Sequence, residues 1–128
     1  MIEFIENIWI IDFEGKCFFY KQVDITKPAM DEAAFSNFIT AILMFTRDMF
    51  KEFNKLQLGG IDIFMQSFKE FFIVVSCKKE LKHEKDLFKL INNIGKSFND
   101  KFASVLKNQF ASISTFEEFN PIMDKFFK

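Results

Sequence analysis

The chain has 128 residues, of which 49% are hydrophobic and 27% charged, and its formal net charge is -1. This length suits one compact domain, 1–128, with an ordinary core. The composition indicates neither a disordered segment nor a nucleic-acid binder that relies on a basic surface.

The composition is unusual in its phenylalanines, which number 21 against one tryptophan and one tyrosine. Codon usage in an AT-rich genome explains part of such a bias. The other explanation is apolar surface in excess of what one core needs, which a partner molecule must cover.

The cysteines and the lack of long apolar runs indicate in which cellular compartment the protein is found. Cys17 and Cys77 are too few and too far apart for a disulfide framework. The first residues include Glu3 and Glu6, where a signal peptide needs a basic start, and no apolar run approaches the roughly 20 residues of a membrane span. We therefore expect a cytoplasmic protein with reduced thiols.

The first predicted element is a β-hairpin. Residues 8–11 and 16–23 are rich in β-branched and aromatic residues, and the sequence DFEG at 12–15 has the chemistry of a turn. Neither strand alternates apolar with polar residues, which indicates that both of its faces are covered.

A long amphipathic helix is predicted next, from about residue 28 or 31 to residue 53. Ala34, Ala41 and Phe45, with Met44 outlying, widen its apolar stripe to roughly 200°, whereas one contact surface needs about 100°. The extra width has two explanations: contact with the chain's own linker or C-terminal segment, or a dimer interface. The small alanines permit close helix approach, and Met and Phe are typical of interface cores.

Three strands are predicted after this helix. A short segment at 56–58 and a strand at 61–66 are separated by Gly59 and Gly60, and a tight turn at 67–70 leads into a strand at 71–76. The sequence FFIVV at 71–75 shows no alternation, so we expect a central strand that is covered on both sides.

Two helices are predicted in the last third of the chain. The first spans 84–110, and Gly95 should weaken or bend it. The second is short and begins at overlapping capping boxes that start at Ser114 and Thr115. Pro121 either kinks this helix or restarts it with Asn120 as the cap.

The order of these elements resembles that of the longin-like domains of the longin and roadblock superfamily, and it looks closest to small stand-alone archaeal versions. The stretches that carry the resemblance are IWIIDFEGKCFFY, FSNFITAILMFTRDMFKEF, LQLGGIDIFMQSFKEFFIVVSC and EKDLFKLINNIGKSFNDKF, which together cover most of the chain. The resemblance implies a three-layer α+β fold. A five-stranded antiparallel sheet, order 2-1-5-4-3, would carry one helix on one face and two on the other.

The resemblance also implies a function, that of a non-enzymatic binding scaffold. Longin-like domains serve in membrane-traffic adaptors, tethers and small-GTPase regulators, usually as homodimers or heterodimers that use the first helix or a sheet edge. We therefore expect a dimer with itself or with another longin or roadblock protein, a small GTPase as a further candidate partner, and no nucleic acid. The SNARE subgroup has a membrane anchor after the domain; because the sequence given stops at Lys128, we do not expect that role.

The residues expected at this interface come from the first helix and from the second strand, which is an edge strand in the implied order and needs a cover. They are Ala34, Ala41, Met44, Phe45, Phe18 and Tyr20. The alternative function is a small-molecule sensor with an aromatic pocket between helix and sheet.

The sequence contains no motif that predicts catalysis, a metal or a cofactor. Gly95-Lys96-Ser97 is similar to the tail of a phosphate-binding loop, but Leu90 stands where the first glycine is needed and the stretch lies in a predicted helix. Cys77 and His83 do not make a zinc ligand set, and no third group orients them for nucleophilic catalysis. We expect no enzyme.

Overall fold

The computed structural model of the chain describes residues 4–14, 16–24, 55–58, 61–78, 84–106 and 113–127. The strands in these ranges are β1 (Ile5–Ile11), β2 (Cys17–Gln22), β3 (Lys55–Leu58), β4 (Ile61–Ser67) and β5 (Phe72–Lys78). The α-helices are α1 (Glu84–Leu106) and α2 (Asn120–Phe126), and a 3-10 helix, Ile113–Phe119, directly precedes α2.

The first two strands form the predicted hairpin, with Trp9 opposite Tyr20. The Asp12 side chain holds the turn, because its Oδ1 accepts hydrogen bonds from the backbone N–H of Glu14 at 2.9 Å and of Lys16 at 2.8 Å. The N–H of Asp12 also donates to the Lys16 carbonyl at 2.9 Å. Aspartate at the start of a turn accepts backbone hydrogen bonds in this way, so the predicted turn that begins at Asp12 is confirmed.

The strands form one antiparallel sheet in the order β2-β1-β5-β4-β3, which is the predicted strand order. β5 is central and pairs with β1 and β4. The sheet ends at β2 on one side and at the four-residue strand β3 on the other. The strands β2, β1, β5 and β4 each contribute buried apolar side chains.

Both faces of the sheet are buried. This was predicted because apolar and polar residues do not alternate along the strands. One face carries the helix-side cluster, to which the central strands contribute Ile8, Ile10, Ile73 and Val75. The other face carries the opposite-side cluster, which consists of Trp9, Ile11, Ile63, Met65, Phe72 and Val74. Successive residues of β1 and β5 thus enter different clusters, and both must be apolar.

Phe98 of α1 lies at the centre of the helix-side cluster. Its ring centroid is between 4.9 and 6.3 Å from those of five other rings, which belong to Phe18, Phe71, Phe102, Phe116 and Phe119. These rings come from β2, from the residue before β5, from α1 and from the 3-10 helix. Phenylalanine is therefore the residue that joins α1, the C-terminal segment and the sheet.

The predicted fold class needs a correction. The prediction was three layers, with one helix on one face of the sheet and two on the other. This prediction is wrong for the part of the chain that the structure describes. That part has two α-helices, and both pack on the same face, because the apolar residues of α1, the 3-10 helix and α2 all join the helix-side cluster. The helix predicted at 31–53 lies outside the described residues.

The sequence predicted that Gly95 would weaken or bend α1, and the predicted bend is not found at this residue. The residue with non-helical backbone angles is Phe102, at φ -117° and ψ 16°. Gly95 is needed for packing instead: a Cβ atom built on it would lie 2.1 Å from Cζ of Phe68, in the turn between β4 and β5. No real Cβ contact is that short, so the missing side chain lets the Phe68 ring lie against the helix.

Pro121 restarts the helix, which was one of the two alternatives that the sequence left open. It lies in the first turn of α2, where its missing N–H is tolerated. Asn120 is not the cap, however. The capping residue is Phe119, without a side-chain hydrogen bond, and the Asn120 amide donates to the Glu117 carbonyl at 3.0 Å.

Candidate functional site

The structure locates two of the six predicted interface residues. Ala34, Ala41, Met44 and Phe45 lie outside the described residues. Phe18 and Tyr20 both lie on β2, but Phe18 belongs to the helix-side cluster and Tyr20 packs against the opposite-side cluster. The structure therefore places these two side chains in different environments.

Phe18 is a core residue. It is 9% exposed, and its ring stacks on that of Phe116 with 4.6 Å between centroids. The 3-10 helix thus covers Phe18, which has little surface left for an outside molecule. The aromatic pattern of β2 indicated an apolar strand correctly, but it did not indicate that the chain's own C-terminal segment covers it.

Tyr20 belongs to a line of polar groups beside the opposite-side cluster. Its O–H donates to Oδ1 of Asn7 at 2.7 Å, and Nδ2 of Asn7 donates to Oγ of Ser76 at 3.2 Å. Asn7 is 4% exposed and Ser76 is fully buried. Buried polar groups destabilise a fold unless they are hydrogen-bonded, so Tyr20 has a structural role that sequence reasoning missed.

This polar line joins three strands. Asn7 and Ser76 are paired in the register of β1 and β5, and the ring of Tyr20 on β2 lies 5.5 Å from that of Trp9. The available signal was Asn7, directly before the apolar run at 8–11, and Ser76, at the end of the apolar run at 71–76. It becomes informative only once the register brings the two residues together.

Each edge strand of the described sheet forms an ion pair with a helix. On β2, Lys21 Nζ lies 2.9 Å from Asp124 of α2, and the ring of Phe19 meets that of Phe119 edge-on. On β3, Lys55 Nζ lies 2.6 Å from Glu84, the first residue of α1. The hydrogen bond to Glu84 raises the pKa of Lys55. Both edges are thus tied to a helix end by one ion pair.

Within the described sheet, β3 pairs with β4 alone. Lys55 lies opposite Phe64, and its ammonium group is 5.6 Å from the centroid of that ring. The outer side of this strand therefore presents a short row of backbone groups with no neighbouring strand in the described ranges. Like the outer side of β2, this edge has backbone N–H and C=O groups that a strand of another chain can pair with.

Asp62 and Cys77 lie opposite each other in the register of β4 and β5, where they form a small polar group. Cys77 is fully buried, and this burial, together with the nearby carboxylates of Asp62 and Glu6, raises the pKa of its thiol to about 12. The thiolate is the reactive form of cysteine. Cys77 is therefore a poor nucleophile at neutral pH.

Asp62 is 4% exposed, and its Oδ1 accepts no hydrogen bond from the described residues. In the same ranges no three His, Cys, Asp or Glu side chains come together as metal ligands. Cys17 and Cys77 are not joined by a disulfide. His83, the other residue considered for metal binding or catalysis, lies outside the described residues.

The stretch Gly95-Lys96-Ser97 lies inside α1, as the periodicity predicts. A phosphate-binding loop needs consecutive backbone N–H groups that point at the ligand, whereas those of a helix interior are used in the helix. Gly95 is buried below Phe68, and Lys96 is exposed.

Neither helix of the described ranges is long and apolar enough to cross a membrane.

Comparison with known proteins does not assign the chain to a family. No protein-family model matches it, and no curated protein is significantly similar to it. The longin-like resemblance therefore stays a prediction from the order of the elements in the sequence.

Proposed function

We propose that this chain is a non-enzymatic protein-interaction module that acts as a dimer. The observation that carries the proposal is the edge strand β3, which pairs with β4 alone in the described sheet. Such an edge offers N–H and C=O groups that a strand of another molecule can pair with. The predicted flank of Ala34, Ala41, Met44 and Phe45 is the second part of the proposed interface.

The packing of the helix-side cluster favours this function over that of a small-molecule sensor. A sensor of the kind considered needs an open aromatic pocket between helix and sheet. The space between α1 and the sheet contains the ring of Phe98, with five other aromatic rings around it. The aromatic residues that could line a pocket there pack on one another.

The partner proposed first is a second copy of this chain, and the next is another longin or roadblock protein. The resemblance extends the proposal to an assembly in the cytoplasm that regulates a small GTPase or acts in membrane traffic. A pull-down from the native cell with the purified chain as bait tests this extension. Recovery of a small GTPase or a second longin or roadblock protein supports it, and recovery of neither contradicts it.

Light scattering coupled to size-exclusion chromatography tests the dimer directly. We expect the wild-type protein to have twice the 15.2 kDa mass of one chain. Phe45→Glu places a charge in the predicted apolar interface and should give the mass of a single chain, because an unpaired charge is costly to bury. A monomeric wild-type protein would contradict the proposed homodimer.

Asn93→Glu is the matched control, because it introduces the same charge at an exposed position of α1. This variant should remain dimeric. Amide hydrogen exchange then separates the two parts of the interface. If β3 pairs with a second copy, exchange in Lys55–Leu58 slows as the protein concentration rises through the dissociation range; if it stays constant, β3 is not in the interface.

A further inference from the structure

We draw no further inference here: the strongest candidate, the buried side-chain pair of Asp62 on β4 and Cys77 on β5, is almost wholly enclosed, and nothing in the described residues shows what group would reach or bind it.

Discussion

The Asp12 carboxylate organises the first turn by accepting two backbone hydrogen bonds through one oxygen atom. Asp12→Ala leaves both N–H donors without this acceptor, and we expect the free energy of unfolding to fall by about 1–2 kcal/mol. Urea denaturation followed by the fluorescence of Trp9, the sole tryptophan of the sequence, measures the change.

Asp12→Asn is the control for this substitution, because it retains a side-chain oxygen that can accept the same bonds. It should retain most of the wild-type stability. If Asp12→Ala and Asp12→Asn were equally stable, the side-chain oxygen would not be what holds the turn.

Cys77 makes the stability of the protein depend on pH in the alkaline range. Its pKa rises from the ordinary value of 9.0 to about 12 on folding, so the folded state retains a proton that the unfolded state loses. The resulting stabilisation is complete below pH 9 and is lost as the pH rises toward 12. The loss approaches about 1.4 kcal/mol per pH unit within that window.

A comparison with Cys77→Ala isolates this effect from the other groups that titrate above pH 9. Between pH 8 and pH 10.5 the wild-type protein should lose more stability than the variant, whose own pH dependence is the reference. If the free energy of unfolding changed with pH in the same way for both proteins, the Cys77 thiol would have the same pKa in the folded and unfolded states.

At the scale of the element, α1 shows how packing overrides helix propensity. Alanine is favoured over glycine inside a helix by about 1 kcal/mol, so sequence reasoning alone makes Gly95→Ala a stabilising change. The structure reverses this expectation, because the new methyl group would collide with the Phe68 ring. Overpacking of this kind costs about 1–3 kcal/mol.

We therefore expect Gly95→Ala to destabilise the protein by up to about 2 kcal/mol, as measured by chemical denaturation. In a Phe68→Ala background the obstructing ring is absent, and the same substitution should stabilise by up to about 1 kcal/mol. This change of sign is the test. A Gly95→Ala effect that is the same in both backgrounds would show that Phe68 and Gly95 do not interact.

At the scale of the whole molecule, the C-terminal segment is attached to β2 mainly by aromatic packing. Phe116 is buried against Phe18 and Phe98, whereas Asp124, which pairs with Lys21, has a side chain that is 49% exposed. Burial of an aromatic ring is worth several kcal/mol, and an exposed ion pair is worth about 1 kcal/mol or less. The rings should therefore decide whether the segment stays in place.

Phe116→Ala should lower the free energy of unfolding by about 3–5 kcal/mol, and Asp124→Asn by less than about 1 kcal/mol. Thermal denaturation followed by circular dichroism compares the two variants. If Phe116→Ala does not fold, Phe116→Leu provides the milder test and should cost more than Asp124→Asn, because it removes part of a buried ring. Equal losses for Phe116→Leu and Asp124→Asn would contradict this ranking.

The local pattern of the sequence determined the hairpin, the turn at residues 12–15, the central strand with two covered faces and the start of α1 at Glu84. These features depend on residues that are close in the chain, so periodicity and turn chemistry are enough to predict them. The strand order was implied by the resemblance to longin-like domains, and the sheet has that order.

Tertiary structure alone decided which side chains meet across the fold. Asn7 and Ser76 are 69 positions apart, and only the register of β1 and β5 makes them hydrogen-bond partners. The cover over Phe18 and the place of Gly95 below Phe68 likewise depend on contacts between distant segments. Local periodicity indicates that a residue is buried, whereas the three-dimensional arrangement determines which other residues bury it.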